Sequence, residues 1–386
     1  MMSTKSYSAG RFADFDLMRV PSPCFVVDEA AVRRNLTVLS GLAEASGCKI
    51  LGALKAFSFW RLAPLISQHV AGSCASGLWE AKLAHKHYGG EVETFSPAYK
   101  AAEMDDIASL SDHVVFNTPA QLETFAMQAK AKGASLGLRI NPQHSEGPVE
   151  RYDPCARGSR LGWPISQLTA DHLTIVDGLH LHTLCEQGFE PLQRTWAAIE
   201  AKLLPFAGQL QWLNLGGGHL ITSPDYDIAA LTRFLQDLAK NMQAQIYLEP
   251  GTAIAFDAGI LVGEVLDVMD NDGPNAILDI SATCHMPDVL EAPYRPALLG
   301  EDPEGTKIRL GGPSCLAGDV IGTYGFNTVP APGQRLAFLD QAHYSMVKTT
   351  TFNGVQLPSL ALWNSETDAL EIVKNFTYAD FEGRLS

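Results

Sequence analysis

Short apolar runs alternate with amphipathic stretches along the first two thirds of the chain. After Pro21-Ser22-Pro23, the run Cys24-Phe25-Val26-Val27 has strand character and Asp28 stands where a helix N-cap would. Val32, Leu36, Leu39 and Ala43 then recur at i, i+4, i+7 and i+11, the stripe of a helix with one buried face. Further runs of strand length lie at 49–54, 92–95, 113–116, 136–140, 178–182, 212–215 and 245–248, with helical stretches between them. Such alternation over about 220 residues predicts a (β/α)8 barrel of parallel strands. Beyond residue 260 the texture changes. The runs 259–268, 276–280 and 335–339 are split by Gly, Pro, Asn and Asp, which predicts an all-β domain. The expected fold class is therefore α/β plus all-β. Residues 32–260 would form a TIM-like barrel, and 261–378 a C-terminal β-barrel or sandwich completed by the N-terminal strand of 21–31.

Composition narrows the function more than the fold. The 386 residues carry 28 Lys and Arg against 43 Asp and Glu, a net charge of −15, which argues against nucleic acid as a partner and suits a cationic substrate. No apolar run approaches the ~18 residues of a membrane span. Met1–Val20 lacks a basic start followed by an apolar stretch, and the seven cysteines are scattered without a CxxC spacing. Reduced thiols in a cytoplasm are expected.

The chemistry-bearing residues collect at predicted strand ends, which in a (β/α)8 barrel face the active site when they are C-terminal. Lys55 follows the 49–54 run; shielded from water among Ala53, Leu54, Ala56 and Phe57 it would be a nucleophilic amine, otherwise a surface lysine. His182 closes the 178–182 run and shares a face with His180. No further ligand stands in a recognisable metal-site spacing, so no metal is expected. Gly216-Gly217-Gly218 is either an anion-cradling loop or a plain turn. Glu249 before Pro250-Gly251 is either a carboxylate fixed to receive a protonated ring nitrogen or a cap. In the β region, Gly311-Gly312-Pro313-Ser314-Cys315-Leu316-Ala317-Gly318-Asp319 places a thiol between turns, a candidate proton donor. Asp288, Glu291 and Asp319 could receive protonated amines, and Arg295 could hold a carboxylate or an ion pair instead.

Taken together, and with the segments 75–80, 182–186, 281–288 and 312–319, these residues make the chain resemble the fold type III, alanine racemase-like pyridoxal-phosphate decarboxylases. This is the group of the ornithine, arginine and diaminopimelate decarboxylases. The resemblance spans about residues 20–378 and is strongest to the branch acting on carboxynorspermidine and carboxyspermidine. It implies that Lys55 carries pyridoxal 5'-phosphate, that His182 stacks on its ring, and that Gly216, Gly217, Gly218 and Tyr344 hold its phosphate. It implies further that Glu249 keeps the ring nitrogen protonated, and that Cys315 enters from the neighbouring subunit of a homodimer to deliver a proton. Three positions depart from the relatives: Thr252 replaces a phosphate-binding arginine, Leu316 an acidic residue, and Cys185 falls near a phosphate-contacting serine. A simpler amino acid (diaminopimelate, ornithine or arginine) is the alternative substrate.

Overall fold

The computed structural model describes residues 2–3, 8–147 and 149–386. The chain divides into two compact units, one of residues 34–254 and one of residues 1–33 with 255–386.

The principal strands up to residue 248 are β1 (Cys24–Asp28), β2 (Lys49–Ala53), β3 (Gly72–Ala75), β4 (Glu91–Phe95), β5 (His113–Phe116), β6 (Ser135–Asn141), β7 (Gly178–His180), β8 (Trp212–Asn214) and β9 (Gln245–Leu248). Strands β2 to β9 are parallel, each pairing with the next, and β9 returns to β2. This is the closed eight-stranded barrel that the alternation predicted. Both faces of its strands are covered, the outer one by helices such as Pro119–Ala131 and Phe189–Leu203, which is why most of them read as apolar runs. Strand β3 was outside the predicted runs. Its Gly-Ser-Cys-Ala sequence has little β preference, and Gly72 belongs there because a Cβ would overlap the Glu91 backbone of β4.

Asp28 caps the following helix, α1 (Glu29–Ser46), by accepting from the Ala30 N–H at 3.0 Å, although it also ends β1. Val32, Leu36 and Leu39 are buried as the stripe predicts; the next buried position is Leu42, and Ala43 is only half-buried.

Inside the barrel, Leu51, Val115, Trp212 and Tyr247 form an apolar cluster. At the N-terminal ends of the strands, Glu91 pairs with Lys49 and accepts from the Tyr247 hydroxyl at 2.9 Å. Trp212 is wide enough that its neighbours Gly137 and Gly178 cannot carry a side chain; a Cβ on either would overlap the indole.

The other unit is a sheet domain. Its later strands are β10 (Gly259–Asp270), β11 (Pro274–Leu278), β12 (Thr306–Gly311), β13 (Val320–Phe326), β14 (Arg335–Leu339), β15 (Ser359–Asn364) and β16 (Ala369–Lys374). The first residues of β10 lie between β1 and β14, both antiparallel to it, and its end pairs with β11 across a register shift between Val265 and Asp267. β15 runs parallel to β1, so the N-terminal strand is an interior member of this sheet. Phe12, Val26, Ile260, Val262 and Trp363 pack its core. Strands β12, β13, β15 and β16 were not predicted; in β12 Lys307 and Arg309 alternate with the buried Ile308 and Leu310, and in β16 Glu371 and Lys374 interrupt the apolar positions.

The packing of Trp212 makes a prediction. Gly178→Ala should destabilise the protein by about 1–3 kcal/mol through overpacking. An unchanged denaturant midpoint would show that the indole has room to move.

Candidate active site

Five predicted site residues come together at the C-terminal ends of the barrel strands: Lys55, His182, Gly216, Gly217 and Glu249. Lys55 follows β2 and is half-buried, with Nζ 3.4 Å from His182 Nε2. The Gly217 N–H donates to His182 Nδ1 at 3.2 Å, which sets the proton of the neutral ring on Nε2. Burial first, and the Lys55 charge second, push the His182 imidazole down to about 3, so it is neutral at working pH.

Glu249 is 5% exposed. Its Oε2 lies 3.6 Å from His182 Nδ1 and its Oε1 3.3 Å from His180 Nε2. Burial alone would raise its carboxyl, but His180 and then His182 outweigh that and hold it well below the usual carboxylate range. The Asn214 side-chain amide also donates to Glu249 Oε1 at 2.8 Å, which favours the ionised form. His180, His182 and Glu249 bring their nitrogen and oxygen atoms within 4.8 Å of one another. The third partner absent from the His180/His182 spacing is thus a residue of another strand end.

The three glycines are required by backbone crowding. Gly216 and Gly218 have φ of +72° and +85°, and Cβ atoms on Gly216, Gly217 and Gly218 would overlap Leu181 O, Glu249 O and Leu184 O. Two of the three loop amides are engaged within the protein, Gly216 N–H with Asn214 Oδ1 at 2.8 Å and Gly217 N–H with His182. Thr252, at the helical turn Thr252–Ala255 after Glu249, is buried, and the Cys185 N–H donates to Gln187 Oε1 at 3.3 Å.

Three polar residues of this site were not singled out from the sequence: Glu93, Arg139 and Asn214. Arg139 sits mid-strand in a largely apolar run, Glu93 in a strand that also holds Glu91 and Thr94, and Asn214 ends its strand. A charged or amide group in a strand buried on both faces is the one signal that marks them. Arg139 donates to His182 O at 3.2 Å and lies over the Phe95 ring at 4.5 Å; burial lowers its guanidinium to about 10.

In the sheet domain, Cys315 is exposed at a loop tip, its N–H donating to Asn353 Oδ1 at 2.8 Å. Asp319, by contrast, is buried and already engaged. It accepts from the Ser281 and Ser314 hydroxyls at 2.8 and 2.6 Å and from the Thr283 N–H at 3.1 Å, clamping the turn that presents Cys315. Arg295 pairs with Glu301, donates to Thr323 O at 2.9 Å and stacks 4.0 Å over the Tyr324 ring. Asp288 and Glu291 each pair with Lys348, so this acidic pair receives an ammonium from its own chain. Tyr344 has φ of +34°, a left-handed conformation costing about 1–3 kcal/mol in a side-chain-bearing residue and found where surroundings impose it.

Residues 24–342 match the model described as the pyridoxal-dependent decarboxylase C-terminal sheet domain. The chain belongs to the pyridoxal-dependent decarboxylases. Among curated members it is 39% identical to the carboxynorspermidine/carboxyspermidine decarboxylase of Campylobacter jejuni over 95% of this chain and 99% of that one. It is 38% identical to the carboxyaminopropylagmatine decarboxylase of Synechocystis over 96% of each. The crystal structure of the Campylobacter jejuni carboxynorspermidine decarboxylase complexed with norspermidine superposes with a TM-score of 0.88, at 36% identity, over 95% of this chain and 100% of that one.

As a pyridoxal-dependent decarboxylase the chain takes pyridoxal phosphate, and its residues fit that group. An amine, a neutral imidazole, an ionised carboxylate and a glycine turn converge at one barrel end. The Nδ1 of the buried His180 has no hydrogen-bond partner in the described structure.

Burial of His182 and His219, the latter pushed down to about 4, gives a pH signature. Unfolded histidines take up protons near pH 6.5, whereas these two resist until pH 3–4 when folded. Their stabilising effect is complete above pH 6.5 and is lost as pH falls below it, by about 1.4 kcal/mol per pH unit for each. The unfolding temperature of the cofactor-free protein should be flat above pH 7 and drop toward pH 4, less steeply in His219→Asn. A midpoint constant between pH 7 and pH 5 would contradict this.

Proposed function

We propose that this protein decarboxylates carboxynorspermidine or carboxyspermidine, releasing CO2 and norspermidine or spermidine in polyamine biosynthesis. The near full-length likeness to the Campylobacter enzyme, within a family whose cofactor the barrel residues suit, carries this reading. The acidic surface and the amine-binding pair Asp288 and Glu291 fit a substrate with several positive charges.

Pyridoxal phosphate, when bound, supplies a sink for the electron pair left as CO2 departs. Lys55 would hold it through the amine, Gly216–Gly218 would hold its phosphate, and His182 would pack on it. Glu249, kept ionised by its neighbours, holds the proton on the ring nitrogen. The neutral His182 adds no second charge beside that nitrogen and maintains the packing that excludes water. Cys315 delivers a proton to the substrate carbon from a second copy of the chain. Its exposed loop tip, pinned by Asp319 and Asn353, suits a thiol used between subunits. Asp288 and Glu291 receive the substrate's amine in place of Lys348. Asp319 acts on the substrate only through the loop it clamps, and Arg295, committed to Glu301 and Tyr324, can meet a carboxylate only by giving up those contacts.

A substrate panel with CO2 release as readout tests the assignment. Carboxynorspermidine or carboxyspermidine should turn over fastest, ahead of carboxyaminopropylagmatine, diaminopimelate, ornithine and arginine; a simple amino acid in first place would overturn it. Lys55→Ala should abolish turnover and the visible absorbance of bound cofactor, whereas chelators should leave both unchanged.

The shared site has its own test. Mixing inactive Lys55→Ala with impaired Cys315→Ala should restore part of the wild-type activity, because mixed dimers contain one intact site. No recovery under conditions that exchange subunits would exclude the shared arrangement.

A further inference from the structure

Glu93 has no part in the chemistry described above, yet it is 1% exposed in the middle of β4, one of the most deeply buried acids in the barrel. The Asn214 side-chain amide donates to Glu93 Oε1 at 2.7 Å and, with its other hydrogen, to Glu249 Oε1 at 2.8 Å. The amide cannot be turned over. Its Oδ1 accepts the Gly216 N–H at 2.8 Å, and the flipped group would set an oxygen against two carboxyls and an NH2 against an N–H. The second Glu93 oxygen, Oε2, faces His113 Nδ1 at 3.3 Å, and Glu93 and Glu249 are drawn together by the one Asn214 nitrogen that donates to both. The titratable groups around Glu93 include Cys74, Glu91, Tyr99, His113, Tyr247 and Glu249, with Lys49 beyond them paired to Glu91. Two buried carboxyls that share one amide donor this closely cannot both stay ionised.

We propose that Glu93 is a positioning residue that remains a neutral carboxylic acid, and that through the shared Asn214 amide it confines the pair's single negative charge to Glu249. Burial and the neighbouring Glu249 charge raise the Glu93 carboxyl well above the usual range, in the same direction. His113, lowered by its own burial, does not take the proton from it. The inference rests on the reading of Glu249 as the partner of the ring nitrogen, and it explains how that carboxylate keeps its charge and orientation beside a second acid. Asn214 joins the two acids to the glycine turn, so one side chain sets both the carboxylate and the backbone at Gly216.

Difference infrared spectroscopy on the full-length protein, cofactor-free and then loaded, tests this directly. The wild type should show the C=O stretch of a protonated carboxylic acid at neutral and mildly alkaline pH, and Glu93→Gln should remove it. Glu93→Ala should lower kcat roughly tenfold or more, by loss of the acceptor that fixes the Asn214 amide, with little change in KM. Glu93→Gln, which keeps the shape and can accept from Asn214, should recover most of that loss. The absence of an acid band from the wild type overturns the proposal, as does Glu93→Gln proving as damaging as Glu93→Ala. The band in cofactor-free protein reports on Glu93 alone. If Glu249→Gln left cofactor absorbance and kcat intact, the reading of Glu249 would fail while the infrared result still decided the state of Glu93.

Discussion

Glu249 must keep a negative charge where water does not reach it, and the groups around the barrel mouth are those that make this possible. A buried carboxyl ordinarily takes up a proton. Here the Asn214 amide donates at 2.8 Å and His180 Nε2 stands 3.3 Å away, so the ionised form is favoured despite burial. His182 itself stays neutral, because burial and Lys55 keep it so and the Gly217 N–H occupies Nδ1. Under the proposed function, a charge in this position would keep the ring nitrogen of a bound cofactor protonated.

The same constraint reaches into the backbone. Asn214 can orient its amide toward the acids only because Gly216 presents an N–H to its oxygen, and Gly216 can do so only at a positive φ pressed against Leu181. One layer below, Trp212 fills the barrel width and requires glycines at 137 and 178. Mutations at these glycines would therefore act on the carboxylate through the strand positions. The sheet domain solves a separate problem, presenting an exposed thiol on a loop held by the buried Asp319 carboxylate.

Much of this was legible from residue order, and the omissions have physical reasons. Seven barrel strands announced themselves as apolar runs, whereas Gly72–Ala75 is made of residues too small to register and is held by closeness to β4. Lys55, His182 and Glu249 were legible because strand ends are where polar groups change the pattern. Glu93, Arg139 and Asn214 were not, because a polar residue within a barrel strand looks like noise until the barrel closes. Lys348 is the clearest case of information that exists only in three dimensions. It neutralises Asp288 and Glu291 from 60 and 57 residues away, and no local pattern connects them.

The protonation state of the cofactor's ring nitrogen is the measurement that bears most directly on the role of Glu249. Nitrogen-15 NMR of the protein loaded with ring-labelled pyridoxal phosphate reads it without turnover. A protonated nitrogen in the wild type and an unprotonated one in Glu249→Gln is the expected result. The same unprotonated signal in both proteins would contradict a buried charge at the centre of this site.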